Sequence, residues 1–144
     1  MNSSFRWPAL DVASWAPTRD TLHMWLQIVG KIQMVSTPLL NQWWKVTYEL
    51  SARGLRTRLM LSADVDLDAE FDLVKHELVL RSTSGGREVV ALAPMTVADF
   101  WSAVHAAVER LGVKVTVHEC PNEVDPSIRF AEDTTHCSYD AAAV

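Results

Sequence analysis

Cysteine is scarce, long apolar runs are absent, and positive charge is nowhere concentrated. Only Cys120 and Cys137 occur in 144 residues, which argues against a disulfide scaffold and makes a reducing cytoplasm the expected compartment. No apolar stretch approaches the roughly 18 to 20 residues of a membrane span. The opening Met-Asn-Ser-Ser-Phe-Arg-Trp-Pro has no basic start followed by an apolar core, so no secretory leader is expected. Also missing are a Gly-rich phosphate loop, a G-x-S-x-G elbow, an H-E-x-x-H pair and a C-x-x-C pair. Kinase, Rossmann dehydrogenase, α/β-hydrolase and zincin readings therefore have no support.

What is present is the composition of one folded domain: 49% hydrophobic and 22% charged residues, enough for a core without metal or disulfides. The net charge of −5 lies at one end. Residues 118–144 hold six acids against Arg129, while residues 1–117 balance twelve acids with twelve bases. A neutral body with an acidic end offers no basic stripe for phosphates, so neither a nucleic acid nor an anionic membrane is expected as a partner. Six of the twelve aromatics are tryptophan, and Trp7, Trp15, Trp25, Trp43 and Trp44 fall early in the chain. Such a cluster serves as a core anchor or as the wall of a ligand site.

Residues 1–16 show no clean period and read as a lead-in laying Trp7 and Trp15 on the body. From about Pro17 or Thr18 to about Val35 the pattern is helical, with apolar residues nearly all round, as in a buried helix. The period then shifts to two. Trp43–Ser51 and Leu55–Leu61 flank Ala52-Arg53-Gly54 as a hairpin, and Val65, Leu67, Ala69, Phe71 and Leu73 alternate with Asp64, Asp66, Asp68, Glu70 and Asp72. Glu77–Thr83 and Arg87–Ala93 bracket Ser84-Gly85-Gly86 as a second hairpin. Thr96 and Asp99 form a capping-box variant before Val97, Phe100, Trp101, Val104, Val108 and Leu111, and Gly112 stands at the C′ position. A short strand at Val113–Val117 and an irregular tail complete the chain. The expected class is α+β, an antiparallel sheet of about five strands with two helices packed on it, residues 1–117 forming the domain and 118–144 an acidic, mostly irregular tail.

Three groupings could carry chemistry. His23, Gln27 and Lys31, spaced i, i+4, i+8, share one face of the first helix. They form either a pocket floor, with Lys31 anchoring an anion and His23 as acid or base, or a solvated stripe at the sheet's edge. The acidic ladder could gather a hard cation, but i and i+2 residues on a strand are ~7 Å apart. Arg56 and Arg58 supply cross-strand partners, so a paired, solvated face is the expectation. His118, Cys120, His136 and Cys137 do not have zinc-finger spacing, and no metal or cofactor is expected. His76 and His105 are by default ordinary histidines.

The stretches Trp7-Pro8-Ala9-Leu10, Leu22–Lys31 (LHxWxQIxGK), Asn41-Gln42-Trp43-Trp44, Glu70-Phe71-Asp72 with His76, and Glu132–Asp140 (EDxxHxSYD) together resemble the amino-terminal half of an uncharacterised bacterial family, a domain of unknown function. The resemblance implies a signature of His23, Trp25, Gln27, Lys31, Trp43, Trp44, Glu70, Asp72, His76, Asp133, His136 and Tyr139, and supplies no substrate. Gln42 replaces a histidine common in relatives, and neither cysteine belongs to the pattern, which weakens a metal scheme further. Relatives usually continue into a second half, so this chain is expected to be a half-length member or a fragment.

The functional expectation is an intracellular domain binding a small anionic ligand. Trp25 and Trp44 wall the pocket, Trp43, Gln27, Asp72 and His76 join them in binding the ligand, and the candidate catalytic residues are His23 and Glu70 for proton transfer with Lys31 stabilising negative charge. The alternative is a non-enzymatic interaction module that forms a homodimer or docks a partner through its Trp-rich surface and acidic tail.

Overall fold

In a computed structural model, Ala9 and residues 11–144 are described; Trp7 and the expected placement of the lead-in up to Pro8 lie outside the described residues. The first helix, α1 (Val12–Ser36), begins before the expected start at Pro17 or Thr18. Asp11 is the reason. Its carboxylate accepts from the Ala13 amide at 3.1 Å, and its carbonyl accepts from the Trp15 amide at 3.1 Å, satisfying donors that otherwise have no partner in a first turn. Pro17 sits inside the helix, beyond its first turn, where the bond to the Ala13 carbonyl is forgone. The helix ends at Ser36, close to the expected Val35, where Thr37 precedes Pro38 and its hydroxyl donates back to the Gln33 carbonyl at 2.7 Å.

The first expected strand, Trp43–Ser51, is mostly not a strand. Asn41–Val46 form a 3-10 turn in which Gln42 and Trp43 take left-handed backbone angles (φ 53° and 60°). Only β1 (Glu49–Leu50) remains extended and pairs with β2 (Gly54–Arg56). Gly54 is required there: a Cβ would lie 2.1 Å from the Phe71 carbonyl oxygen. The meander continues through β3 (Leu67–Asp72), β4 (Glu77–Ser82) and β5 (Arg87–Ala91), all antiparallel in the order β1-β2-β3-β4-β5.

Register follows the alternation in sequence. Phe71 stands opposite Leu78 and Ala69 opposite Leu80, so these four and Leu67 share the core face, while Glu70 opposite Val79 and Asp68 opposite Arg81 share the other.

The second helix, α2 (Val97–Arg110), has the expected caps. Thr96 Oγ1 accepts from the Asp99 amide at 3.0 Å and donates to Asp99 Oδ2 at 2.7 Å. At the other end Gly112 adopts φ 87°, and the Val113 amide reaches back to the Val108 carbonyl, closing a Schellman-type turn. Residues 113–117 do not form the expected strand. Their β-branched side chains pack, with Val113 and Val117 buried, but their backbone joins no ladder.

Both helices and the sheet share one core. At its centre Trp25, fully buried, stacks on Phe100 at 4.7 Å between centroids and on Tyr139 at 5.3 Å. Residues 118–144 carry only the 3-10 turns Phe130–Glu132 and Ala141–Ala143, yet Phe130, Asp133 and Tyr139 are buried. The carbonyls of His136 and Asp133 accept from the first amides of α2, Val97 (3.1 Å) and Ala98 (3.0 Å). Thr21 and Thr18 of α1 accept from the Ser138 and Asp140 amides, both at 3.0 Å. No described helix is long and apolar enough to cross a membrane.

Candidate functional site

The polar stripe on α1 meets the segment beyond residue 120. Gln27 makes two bonds to the Asn122 backbone: its Oε1 accepts from the amide at 2.7 Å and its Nε2 donates to the carbonyl at 3.0 Å. The same Nε2 lies 3.0 Å from His23 Nε2. Lys31 Nζ donates to Asn122 Oδ1 at 2.9 Å. These spacings come straight from the helix, because i, i+4 and i+8 residues stack along one face with their heads near one another.

Together they form one side of an open cleft of about 330 Å³. Leu26, Gly30 and Met34 continue the α1 wall, Val46 and Tyr48 face it, and Asn122 and Glu123 form the rim. Tyr48 is fixed by its hydroxyl, which donates to the Leu26 carbonyl at 2.7 Å, and burial pushes its pKa well up. A glycine at position 30 keeps the wall low: a Cβ there would stand 3.7 Å from the Tyr48 hydroxyl.

Lys31 sets the electrostatics. It is only 6% exposed, and burial lowers its pKa from the usual lysine value, an effect opposed by the nearby Cys120 sulfur. Among the described residues no carboxylate lies within ion-pair distance of it. Its one hydrogen-bond acceptor is a neutral amide oxygen. A desolvated ammonium with a neutral partner retains an unmet demand for negative charge.

Residues 7–144 match the DUF5996 family of unknown function. The chain belongs to that family. No curated protein and no solved structure matches it.

In this DUF5996 domain the remaining expected site residues lie away from the cleft. Trp25 is a core residue with none of its surface exposed, since it stands on the face of α1 turned toward α2. Trp43 and Trp44 are more than half exposed on the 3-10 turn. Glu70 belongs to the outer face of the sheet, where Ser51 Oγ (2.7 Å) and Arg81 Nη2 (2.9 Å) donate to it and hold its pKa below the usual carboxylate value. Asp72 pairs with Arg53 and accepts the Val74 and Lys75 amides at 3.1 and 2.9 Å, which brings its pKa to about 2. The acidic ladder is thus paired chiefly by Arg53 and Arg81. Arg56 instead pairs with Glu49.

His76 Nδ1 lies 2.9 Å from the Tyr139 hydroxyl, linking the β3–β4 turn to the core stack. The EDxxHxSYD stretch is likewise built into the fold. Asp133, 1% exposed, accepts the Thr135 and His136 amides on Oδ1 and His136 Nδ1, at 2.7 Å, on Oδ2. His23, Gln27 and Lys31 are therefore the expected residues that the fold brings together. Asn122, Tyr48, Met34 and Val46 were not foreseen: Tyr48 reads as an ordinary strand aromatic, and nothing local marks Asn122.

Proposed function

We propose that this domain binds a small anionic molecule in the cleft between α1, Tyr48 and the Asn122 loop. The observation that carries this reading is Lys31, buried, unpaired by any described carboxylate, and facing a concavity. The walls favour an amphipathic monoanion. Leu26, Met34, Val46 and the Tyr48 ring offer apolar contact, the one Lys31 ammonium meets a single negative charge, and the Glu123 carboxylate on the rim disfavours further ones. A polyphosphate would require more cations than the cleft contains. His23 and Gln27 at one end supply directional hydrogen bonds, and the His23 imidazole is the cleft's candidate proton donor or acceptor. Glu70, on the outer sheet face, has no part in this site.

Titration calorimetry with a series of monocarboxylates, acetate through octanoate and benzoate, tests the reading. Affinity should grow with the apolar body and be lost in Lys31→Met, whose side chain keeps the volume and removes the charge. Equal heats in wild type and Lys31→Met, or no heat with any member of the series, would overturn it.

A further inference from the structure

A second surface, separate from the cleft, surrounds the C-terminal end of α1. Val35, Leu39, Leu40, Trp43 and Trp44 are between 41% and 73% exposed. They leave on the order of 600 Å² of apolar side chain in solvent, the top of the range for the largest patch on a monomer.

The chain takes on cost to hold it there. Gln42 and Trp43 both occupy the left-handed region, which non-glycine residues adopt only under strain. Lys45, buried, pins the turn from beneath: its ammonium donates to the Met34 carbonyl at 2.6 Å and the Thr37 carbonyl at 3.3 Å and lies 5.5 Å from the Trp43 ring centre. In this turn both indoles stand more than half exposed.

Charge decides what fits. Residues 32–44 carry no charged side chain, the cation beneath them is engaged with backbone carbonyls, and Asp64 and Lys114 border the patch only on the side of Val35. Nothing here recruits a nucleic acid, an acidic peptide or an anionic bilayer, and the chain's net charge of −5 opposes the last. The surface suits a partner that is itself uncharged and apolar. A second copy of the same patch meets that requirement, because an uncharged patch superposes on itself about a two-fold axis without like-charge repulsion. With the exposed rim residues Pro38, Asn41 and Gln42, its area approaches the ~800 Å² per partner of a standard interface.

We propose that the turn bearing Trp43 and Trp44, with Val35, Leu39 and Leu40, is the interface through which two copies of this chain pair. Sedimentation velocity across a concentration series tests it, with Leu39→Glu and Trp44→Glu as variants. Both sites are exposed, so the fold should survive, and near-ultraviolet circular dichroism checks this. The wild-type mass should rise from 16.1 kDa to twice that value, and each variant should weaken pairing by about a hundredfold or more, since two-fold symmetry places two new carboxylates in one apolar contact. Lys31→Met should pair as wild type does, which separates this interface from the cleft. A wild type that stays monomeric, or a dimer that persists in both variants, overturns the proposal. So does a monomer that floats with phosphatidylcholine vesicles, which would assign the patch to a lipid surface.

Discussion

The side-chain oxygen of Asn122 lies 2.9 Å from the ammonium nitrogen of Lys31, across 91 residues of chain. A neutral acceptor therefore occupies the position that a carboxylate would hold in an ordinary buried ion pair. The seat is filled without being neutralised, and the first prediction follows from that difference.

Asn122→Asp should convert the contact into an ion pair. We expect the domain to gain roughly 1 kcal/mol of stability, the scale of a partly buried hydrogen-bonded charge pair. Affinity for monocarboxylates should fall at least about tenfold, because the competing charge is then intramolecular. Urea denaturation and calorimetry on the same variant read the two effects. A variant that gains stability and keeps full affinity would show that the anion site does not use Lys31.

The pair of Asp72 with Arg53 should govern acid stability. The folded-state pKa of Asp72, about 2, is depressed from 3.8 by the Arg53 hydrogen bond, its largest cause. Below 3.8 the unfolded chain takes up a proton that the folded chain refuses, so the contribution is complete above that value and is lost as pH falls toward about 2. Asp72→Asn should lower the urea midpoint at neutral pH and converge on wild type across this window. Parallel pH profiles for the two proteins would contradict the assignment.

Trp25→Ala should cost about 3 to 5 kcal/mol, since it empties the stack between Phe100 and Tyr139. Trp25→Phe should cost much less than its lost volume suggests. The buried indole nitrogen of Trp25 has no hydrogen-bond partner among the described residues, so phenylalanine also removes a desolvated donor. Thermal denaturation of the two variants separates these contributions.

Thr21→Val and Thr18→Val should each destabilise by about 1 kcal/mol, because each keeps the shape of the side chain and removes an acceptor from a backbone amide, of Ser138 and Asp140 respectively. Amide exchange should accelerate first at Ser138 and Asp140. Exchange that accelerates instead along α1 would place the effect in the helix itself.

The sheet was legible because its alternation is strict: Leu67, Ala69 and Phe71 go inward, Asp68 and Glu70 outward, and a register slip would invert all of them. Capping chemistry exposed α2 at both ends, through Thr96 and Gly112. Where local signals compete with tertiary ones, legibility ends. Pro17 looks like a helix start, yet Asp11 caps a turn further back. Val113–Val117 have strand composition and no strand beside them. Trp43 lies in a run that alternates like a strand, but its backbone is left-handed.

The candidate site divides the same way. Helical spacing alone joined His23, Gln27 and Lys31, because that geometry is local. Asn122 reaches them from 95 residues beyond Gln27 and carries no motif. Trp25 looked like a pocket wall because an indole suits either a core or a ligand; only its packing on Phe100 separates the two.

The bonds from Thr18 and Thr21 to Asp140 and Ser138 span 122 and 117 residues, nearly the whole chain. They give the fold a high contact order at its centre, where Tyr139 covers Trp25, and such loops close slowly. During synthesis α1 therefore emerges long before the residues that shield its largest aromatic. Until they arrive, Trp25 lacks one of its two stacking partners and α2 lacks the carbonyls that receive its first amides. A nascent chain in that state exposes apolar surface, and its route to the native fold waits on the Ser138–Asp140 segment, an interval in which holding chaperones would find the most to bind.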